Sequence, residues 1–267
     1  MISSTANGKV KQVVAWQTKA RERKKDGVFI VEGLRMFEEA PLDWISQVYV
    51  SSKCLAGLES GNGDRDKAIL ERLEMIAYEE VTDEVFSKMS DTQTPQGILS
   101  VLRRPTYSLS DILGQNALIM ILEDLQDPGN LGTILRTGEG AGINGVIMSK
   151  DTVDIFNPKV IRATMGSIYR MPFVYVEDLK DILDTLHIEG IQTYAAHLQG
   201  ENYYDSFDFR NGTAFLIGNE GNGLKKETAD QAKSYLKIPM EGKVESLNAA
   251  IAASLLMYEA HRQRKTK

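Results

Sequence analysis

Hydrophobic positions along the second half of the chain form short, nearly continuous runs separated by amphipathic stretches. Residues 117–123 (ALIMILE) are the clearest run, typical of a strand that is buried on both faces. A helical pattern follows at residues 131–141. Further runs predict strands at 145–149, 173–176, 192–196, 213–217 and 235–238, with helices at 158–165, 179–190, 224–233 and 247–264. Strands that alternate with helices predict a parallel sheet covered by helices on both faces.

The first half has shorter elements and more polar positions. It predicts a polar helix at 9–25, strands at 28–32, 47–51, 75–78 and 97–102, helices at 34–40 and 67–74, and a loop at 57–64. Proline, serine and glycine then gather at residues 103–116 (RRPTYSLSDILGQN), as expected of a linker. A chain of 267 residues has the length of about two domains. We therefore predict an α/β chain with domains at residues 1–105 and 106–267.

Composition indicates the class of protein and the compartment in which it functions. The hydrophobic fraction of 42% and the charged fraction of 25% are ordinary for a globular protein. The single cysteine, Cys54, allows no internal disulfide and favours a reducing compartment. The N-terminal residues lack the pattern of a signal peptide, and no apolar run approaches the roughly 20 residues of a membrane helix. We expect a cytoplasmic protein without a membrane segment.

Charge is distributed unevenly. The net charge of −6 weighs mildly against nucleic-acid binding, for which basic domains are usual. Residues 1–25, however, carry seven lysines and arginines against one glutamate, and Arg262, Arg264, Lys265 and Lys267 lie in the C-terminal tail. Such ends can contact phosphate, although charge alone favours the simpler interpretation of a solvated helix face and a soluble tail.

Three loops each follow a predicted strand, so they should meet at one edge of a parallel sheet, where ligands bind. In the first, residues 123–142 (EDLQDPGNLGTILRTGEGAG), Asn130 follows a Pro-Gly turn at the place of a helix N-cap. Arg136 lies six residues later, on the predicted helix. A plain cap and a surface cation are the alternative interpretation of this pair.

The second loop lies in residues 215–224 (FLIGNEGNGL) and is rich in glycine, which lets backbone approach a ligand closely. The glycine order is G-x-x-G-x-G, whereas dinucleotide-binding loops have G-x-G-x-x-G. Glu220 suits a cationic or hydrogen-bond-donating partner better than a phosphate. A tight turn with an acidic residue at a helix N-terminus is the alternative.

The third loop lies within residues 238–253 (IPMEGKVESLNAAIAA). Ser246 can cap the last helix, whereas Asn248 is an unusual choice for its first turn because asparagine is a poor helix former. The alanines that follow allow a bulky neighbour, such as another helix, to pack closely. The three histidines (His187, His197 and His261) are scattered, so we predict no metal site.

Taken together, N-x-x-x-x-x-R after a D-P-G turn, I-G-N-E-G-x-G and I-P-M-x-G-x-x-x-S-L-N resemble the three signature motifs of the SpoU (TrmH-like) RNA 2′-O-ribose methyltransferases of the SPOUT superfamily. Residues 162–173 (RATMGSIYRMPF) resemble the segment between the first two motifs. Residues 29–40 (FIVEGLRMFEEA) and 90–101 (SDTQTPQGILSV) resemble the family's small L30e-like substrate-binding domain. One departure is Asn248-Ala249-Ala250, where many members have a valine and then serine or alanine, and it leaves the chemistry untouched.

The resemblance implies a parallel-sheet SPOUT domain with a C-terminal deep trefoil knot, preceded by the L30e-like domain. It also implies that S-adenosylmethionine lies bent in the knot and that members dimerise through the knotted domain. The implied cofactor contacts are the backbones of Leu216, Gly218, Ile238, Met240 and Leu247. The implied catalytic residues are Arg136, as the key residue, with Asn130, Glu220, Ser246 and Asn248 orienting the ribose and Arg136.

The implied reaction needs no metal, because the leaving group departs neutral when a ribose 2′-hydroxyl attacks a sulfonium methyl group. An arginine stays protonated in essentially all proteins, so we expect Arg136 to stabilise negative charge rather than to act as a base. The general base is not identified by the sequence. The appended domain and the basic segment 9–25 favour structured RNA, and ribosomal RNA over transfer RNA.

Other functions stay open at this stage. A family member that binds RNA without catalysis is one, although the intact motif residues weigh against it. A NAD enzyme is another, and the glycine order weighs against it. The sequence does not separate housekeeping methylation from methylation that confers antibiotic resistance, nor does it give the modified nucleotide.

Overall fold

The computed structural model describes residues 1–265, which form two compact units; Lys267 of the basic tail lies outside the described residues. The first unit consists of Met1–Thr106 together with Phe156–Tyr169. The second consists of Tyr107–Ile155 together with residues 170–265. The segment Phe156–Tyr169 therefore folds with residues that precede it by fifty positions or more, a feature that the sequence patterns did not indicate.

The first 106 residues form a four-stranded sheet surrounded by helices. The elements are α1 (Gly8–Thr18), α2 (Ala20–Asp26), β1 (Val28–Glu32), α3 (Leu34–Glu39), β2 (Ile45–Ser51), α4 (Ser52–Ser60), α5 (Asp64–Glu74), β3 (Tyr78–Val81), α6 (Asp83–Met89) and β4 (Ile98–Arg103). The strand order is β1-β4-β2-β3, with β4 antiparallel to both of its neighbours and β2 parallel to β3.

Three predictions for this half are wrong. The helix expected at 9–25 is interrupted at Lys19, whose extended backbone (φ −125°, ψ 110°) separates α1 from α2. The loop expected at 57–64 overlaps α4, because Ser51 caps that helix by accepting a hydrogen bond from the Cys54 backbone and Leu58 is buried beneath it. The strand expected at 75–78 lies instead at Tyr78–Val81.

The remaining residues form a six-stranded sheet and its helices. The elements are β5 (Leu118–Leu122), α7 (Pro128–Ala141), β6 (Gly145–Ser149), α8 (Pro158–Thr164), β7 (Phe173–Val176), α9 (Leu179–Ile188), β8 (Gln192–Ala196), β9 (Thr213–Ile217), α10 (Lys226–Gln231), β10 (Ser234–Leu236) and α11 (Ala249–Lys265). All except α8, which belongs to the first unit, lie in the second. The strand order is β10-β8-β9-β5-β6-β7 and every pairing is parallel, which confirms the predicted parallel sheet.

The middle of this sheet positions the candidate site. Strand β5 pairs with β6 on one side and with β9 on the other, so that Ile121 lies between Ile147 and Leu216. After β5 the chain adds β6 and then β7 on one side, and it places β8, β9 and β10 on the other side of β5 only afterwards. Such a switch in strand order opens a crevice beyond the carboxyl ends of the strands. The loops after β5 and β9 therefore emerge side by side.

Helix α11 packs against α7 through small side chains. Its buried residues are Ala249, Ala250, Ala253, Leu256, Met257 and Ala260. On α7, a Cβ placed on Gly138 would lie 2.6 Å from Ile143 Cδ1 and 3.5 Å from Met257 Sδ. Packing within the chain thus explains the alanines that were predicted to favour close approach. Within residues 1–265, no helix is both long enough and apolar enough to cross a membrane.

Candidate active site at the carboxyl edge of the parallel sheet

Three of the predicted site residues form a continuous chain of hydrogen bonds. Asn130 Nδ2 donates to Glu220 Oε1 over 3.0 Å, and Asn248 Nδ2 donates to Asn130 Oδ1 over 3.0 Å. Each residue comes from a different one of the three loops identified in the sequence. The structure therefore brings the three loops together, as the parallel topology predicted.

Glu220 is the acceptor at one end of this chain. Its carboxylate accepts hydrogen bonds from the backbone N–H groups of Gln126 (3.0 Å) and Asp127 (2.8 Å) in addition to Asn130. Burial raises the pKa of Glu220, but the bonds from Gln126, Asn130 and Asp127 outweigh it and lower the pKa below its ordinary value. The side chain is consequently a charged anchor for the loop after β5.

The position of Asn130 corrects the sequence-based prediction. Helix α7 begins at Pro128 with Asp127 as its N-cap residue, so Asn130 lies inside the first turn. It is 8% exposed, and both ends of its amide are engaged, by Glu220 and by Asn248. A buried amide needs such partners, and they explain its position better than capping does.

The cap of the last helix also differs from the prediction. Helix α11 begins at Ala249, and Asn248 Oδ1 accepts hydrogen bonds from the backbone N–H groups of Ala250 (2.9 Å) and Ile251 (3.3 Å). Asn248 is therefore the N-cap, a position that asparagine favours. These N–H groups bond to Asn248 and not to Ser246, which lies exposed in the preceding loop.

Arg136 lies on α7 and its side chain is exposed. Within residues 1–265 it forms no ion pair and no side-chain hydrogen bond. Of the five residues predicted for catalysis, Arg136 and Ser246 are thus the two that the fold leaves available. Asn130, Glu220 and Asn248 are occupied with one another and with backbone.

Sequence reasoning missed a second group of polar residues that supports the loop after β5. Glu123 is 3% exposed and accepts from the Lys225 backbone (2.7 Å) and from Thr228 Oγ1 (2.6 Å), which fixes the start of α10. The charge on Glu123, at the end of an otherwise apolar run, was the signal that could have identified it. A buried carboxylate is retained only with such partners.

Asp124 is the second member of this group and has a left-handed backbone conformation, with φ at 53°. Its carboxylate accepts from Ser149 Oγ (2.8 Å) and pairs with Lys225 Nζ (2.7 Å). Burial raises the pKa of Asp124, but the bonds from Lys225 and Ser149 outweigh this effect and hold the pKa below its ordinary value. The Asp124 carbonyl accepts from Asn219 Nδ2 (2.9 Å), which ties this loop to the loop after β9.

The glycine-rich loop after β9 forms a tight turn that is closed by two backbone hydrogen bonds. Asn219 and Gly223 exchange backbone hydrogen bonds of 3.1 and 2.9 Å, and Gly223 has φ of 69°. A Cβ on Gly218 would overlap the Gly223 carbonyl carbon and the Leu224 nitrogen. Gly218 is required by this backbone crossing, which also turns Glu220 toward Asn130.

The loop after β10 is the part of the site with free backbone groups. Within the described chain, the backbone N–H and C=O groups of residues 238–247 form no hydrogen bonds. The side chains of Ile238, Met240 and Leu247 are half-buried, whereas Leu216 is fully buried within β9. Free backbone donors and acceptors beside apolar side chains suit an adenosine group, so these residues fit S-adenosylmethionine.

Two family descriptions match the chain. Residues 117–258 match the SpoU rRNA Methylase family, and residues 7–100 match the MRM3-like substrate binding domain. Among curated proteins, the chain is similar to the 23S rRNA (guanosine(2553)-2'-O)-methyltransferase RlmP of Bacillus subtilis, with 31% identity over 96% of this chain and 97% of that protein. It is 33% identical to an uncharacterized tRNA/rRNA methyltransferase of Synechocystis, over 98% of this chain and 93% of the relative.

Solved structures give the same result. An AdoMet-bound rRNA methyltransferase from Sinorhizobium meliloti is 29% identical and has a TM-score of 0.85 over 98% of this chain and 97% of that one. The SpoU methyltransferase AviRb from Streptomyces viridochromogenes, in complex with AdoMet, is 26% identical with a TM-score of 0.85 over 97% and 99% of the two chains. These matches confirm the resemblance stated from the motifs, and with it the methyltransferase class and the S-adenosylmethionine cofactor. The chain belongs to the SpoU rRNA methylase family.

Proposed function

We propose that this chain transfers a methyl group from S-adenosylmethionine to a ribose 2′-hydroxyl in ribosomal RNA. The observation that carries the proposal is the hydrogen-bonded chain of Glu220, Asn130 and Asn248, which joins the three motif loops. Arg136 lies on the same helix as Asn130 and is exposed. Similarity to RlmP, which is named for 2′-O-methylation of 23S rRNA, supports both the reaction and the RNA.

The bound cofactor would lie against the loops after β9 and β10. It would be held by the backbones of Gly218, Ile238, Met240 and Leu247. The apolar side chain of Leu216 would lie beneath it. S-adenosylmethionine, when bound, supplies a methyl group made electrophilic by the adjacent positive sulfur. The chain's own contribution is to hold the ribose in line with that group and to exclude competing water.

The five catalytic residues would then divide into two kinds. Asn130, Glu220 and Asn248 are positioning residues, because their polar atoms already bind each other and the backbone. Arg136 and Ser246 would contact the RNA. As the 2′-hydroxyl attacks the methyl group and releases its proton to solvent, the guanidinium of Arg136 would stabilise the negative charge that develops on the 2′-oxygen. The same guanidinium would also hold a neighbouring phosphate.

The direct test compares the chain with its Arg136→Ala variant, using methyl-labelled S-adenosylmethionine and unmodified total RNA. Loss of an electrostatic stabiliser should lower methyl transfer by about 10²-fold or more. Because Arg136 has no partner within residues 1–265, the free energy of unfolding should change by less than about 0.5 kcal/mol. Arg210→Ala, which removes an arginine paired with Asp208 in the same unit, is the matched control and should leave turnover unchanged.

Size fractionation of the labelled RNA decides the substrate. Label at one ribose of the large ribosomal RNA is the expected result, and label in the transfer RNA fraction would overturn the ribosomal assignment while keeping the reaction. Near-parental turnover by Arg136→Ala would sink the role given to Arg136. Cofactor binding without label in any RNA would indicate a silent member of the family. The proposed substrate also leads us to place the protein in the cytoplasm.

The same proposal includes the architecture of the two domains. We assign residues 1–105 to RNA substrate binding, which the match of residues 7–100 supports, and residues 106–267 to a knotted methyltransferase domain. A Cβ on Gly200 would lie 2.8 Å from the Leu236 carbonyl carbon. That close crossing between the segments after β8 and β10 is compatible with a tightly threaded knot.

We further propose that two copies associate through α11. The buried face of this helix is used within the chain, but Ile251, Leu255 and Tyr258 on its outer face are 50%, 38% and 49% exposed. Their spacing of four and three residues places them on one stripe. An apolar stripe of this kind on a charged protein indicates a contact surface.

A further inference from the structure

The basic N-terminal segment contains cations of two kinds, and the structure separates them. Lys9 forms an ion pair with Glu79. Arg23 is 3% exposed and donates from Nη1 to the carbonyls of Trp16 (2.7 Å) and Gln17 (3.4 Å). These two side chains stabilise the fold of the first unit and are not available to a ligand.

The other five cations of the segment are exposed and form no ion pair or side-chain hydrogen bond within residues 1–265. They are Lys11, Lys19, Arg21, Lys24 and Lys25. Arg21, Lys24 and Lys25 are three and four residues apart on α2, so they project from one side of that helix. We name these three residues the α2 basic face.

The neighbouring acids do not neutralise this face. The Asp26 carboxylate accepts from Gln12 Nε2 (2.7 Å) and Trp16 Nε1 (2.8 Å), and therefore points toward α1. Glu22 is the only other acid in α2, and it is half-buried. Unpaired like charges on one helix repel each other, so the arrangement is unfavourable unless an anion binds there.

The basic tail at the other end of the chain behaves differently. Arg264 donates to the carbonyls of Asn116 (2.7 Å), Phe209 (2.8 Å) and Asn211 (2.5 Å), and burial lowers its pKa. Arg262 forms an ion pair with Glu259. Both arginines of the predicted basic tail are therefore structural, which leaves α1 and α2 as the stronger candidate for an anion-binding surface.

The charge of the whole chain favours a specific use for this surface. Outside residues 1–25, the sequence has 24 lysines and arginines against 36 aspartates and glutamates. A chain with this balance repels polyanions in general, so that a local cluster of free cations is the part able to bind one. Val10 and Val13 of α1 are buried in the chain's own core, so α1 offers no apolar face for insertion into a membrane.

We propose that the α2 basic face, together with Lys11 and Lys19, binds the phosphate backbone of the RNA substrate. This inference rests on the proposed function for the identity of the RNA, but it concerns a surface in the first unit and not the methyl-transfer site. Each lysine or arginine that neutralises a phosphate releases counterions, so binding should depend steeply on salt and little on base sequence.

The test compares the full chain with an Arg21→Gln, Lys24→Gln, Lys25→Gln variant. The matched control, Lys150→Gln, Lys180→Gln, Lys226→Gln, removes the same charge from lysines that are paired with Glu177, Glu227 and Asp230 in the second unit. Binding to protein-free, transcribed large ribosomal RNA is measured from about 50 to 200 mM salt. S-adenosylhomocysteine binding and the melting temperature are measured on the same samples.

The α2 variant should reduce the slope of log affinity against log salt by about 3, that is, by about 1 for each cation removed. The control should retain the parental slope, and cofactor binding and melting temperature should be unchanged in both. An unchanged slope in the α2 variant, or an equal reduction in the control, would overturn the proposal. Binding to vesicles of equal parts phosphatidylcholine and phosphatidylglycerol is measured as well. An α2 variant that loses binding to these vesicles but keeps the parental binding to RNA would also overturn the proposal. If the parent methylates no RNA, the proposed function fails, whereas the salt slopes still decide this inference.

Discussion

Single residues in the site differ in whether the fold has already occupied their polar atoms. Glu220, Asn130 and Asn248 have partners at 2.8 to 3.3 Å, whereas Arg136 has none within the described chain. A preorganised set of amides and one carboxylate can hold a loop in place without reorganisation during a reaction. The structural role of Glu220 can therefore be tested separately from catalysis.

Replacing Glu220 by glutamine should destabilise the chain, by an amount that depends on pH. Glutamine places an NH₂ group opposite the N–H of Gln126 or Asp127, so one backbone donor loses its acceptor. We expect a loss of about 1 kcal/mol in the free energy of unfolding at pH 7, because solvent weakens bonds to an exposed carboxylate. Since the folded-state pKa is lowered, this stabilisation is fully present above the ordinary value of 4.5 and is lost as the pH falls through the folded pKa.

Urea unfolding of the parent and of Glu220→Gln between pH 7 and pH 3 measures this difference. The gap between the two should be constant down to about pH 5 and should shrink below the ordinary carboxyl pKa. Glu227→Gln, which breaks only a surface pair with Lys180, is the control and should cost less than about 0.5 kcal/mol. A gap that widens on acidification would contradict the assignment.

The roles of individual residues were harder to predict than their location. All five catalytic candidates lie in the second unit, in or beside the loops that the motifs identified. Asn130 and Ser246, however, were predicted as helix caps. In the structure, Asp127 is the N-cap residue of α7 and Asn248 is that of α11. Capping preferences are local, whereas the hydrogen bonds of Asn130 join residues 90 and 118 positions apart, which no local pattern encodes.

Among the secondary-structure elements, buried strands were predicted best. Strands β6 to β9 begin and end where the apolar runs do, because a strand covered on both faces contains few polar residues. Helix α6 was missed and α10 is shorter than expected, since both are short and only partly buried. Tertiary contacts decide such elements more than propensity does.

The turn after β9 should depend on glycine at position 218 for its stability. Gly218→Ala would force a Cβ into the backbone of Gly223 and Leu224, which cannot move aside as a flexible side chain would. We expect a loss of about 1–3 kcal/mol or more in the free energy of unfolding. Gly221→Ala is the matched control, because the nearest atom to its Cβ, Asn219 Oδ1, lies at an ordinary 3.6 Å.

Urea unfolding and binding of S-adenosylhomocysteine should both separate the two glycine variants. Gly221→Ala should stay within about 0.5 kcal/mol of the parent and retain the ligand. Gly218→Ala should weaken binding, because the turn places both Glu220 and the proposed cofactor backbone. A Gly218→Ala protein as stable as the parent would show that the backbone crossing is not as tight as the structure indicates.

At the scale of the whole molecule, each unit carries one distinctive surface feature. Within the described chain, five exposed cations without partners lie in residues 11–25 of the first unit, and an apolar stripe of Ile251, Leu255 and Tyr258 lies on α11 of the second unit. The family resemblance implied a dimer through the knotted domain, and the alanines of α11 were expected to allow close packing, but Ala249, Ala250, Ala253 and Ala260 are buried within the chain. The stripe on the opposite face now carries the dimer proposal, and it could not be distinguished in the sequence because α11 is apolar on more than one side.

Ile251→Glu should therefore convert a dimer into a monomer. A carboxylate at the centre of an apolar interface loses its hydration without gaining a partner, at a cost of several kcal/mol for the two copies that a symmetric contact brings together. The measurement is molar mass by light scattering after size exclusion, over a range of protein concentrations. Ile188→Glu is the matched control, because Ile188 is 85% exposed on α9 of the same unit and should tolerate the charge. If the parent is a dimer and Ile251→Glu remains one, α11 is not the contact. Equal dissociation in the Ile188 variant would move the interface to α9.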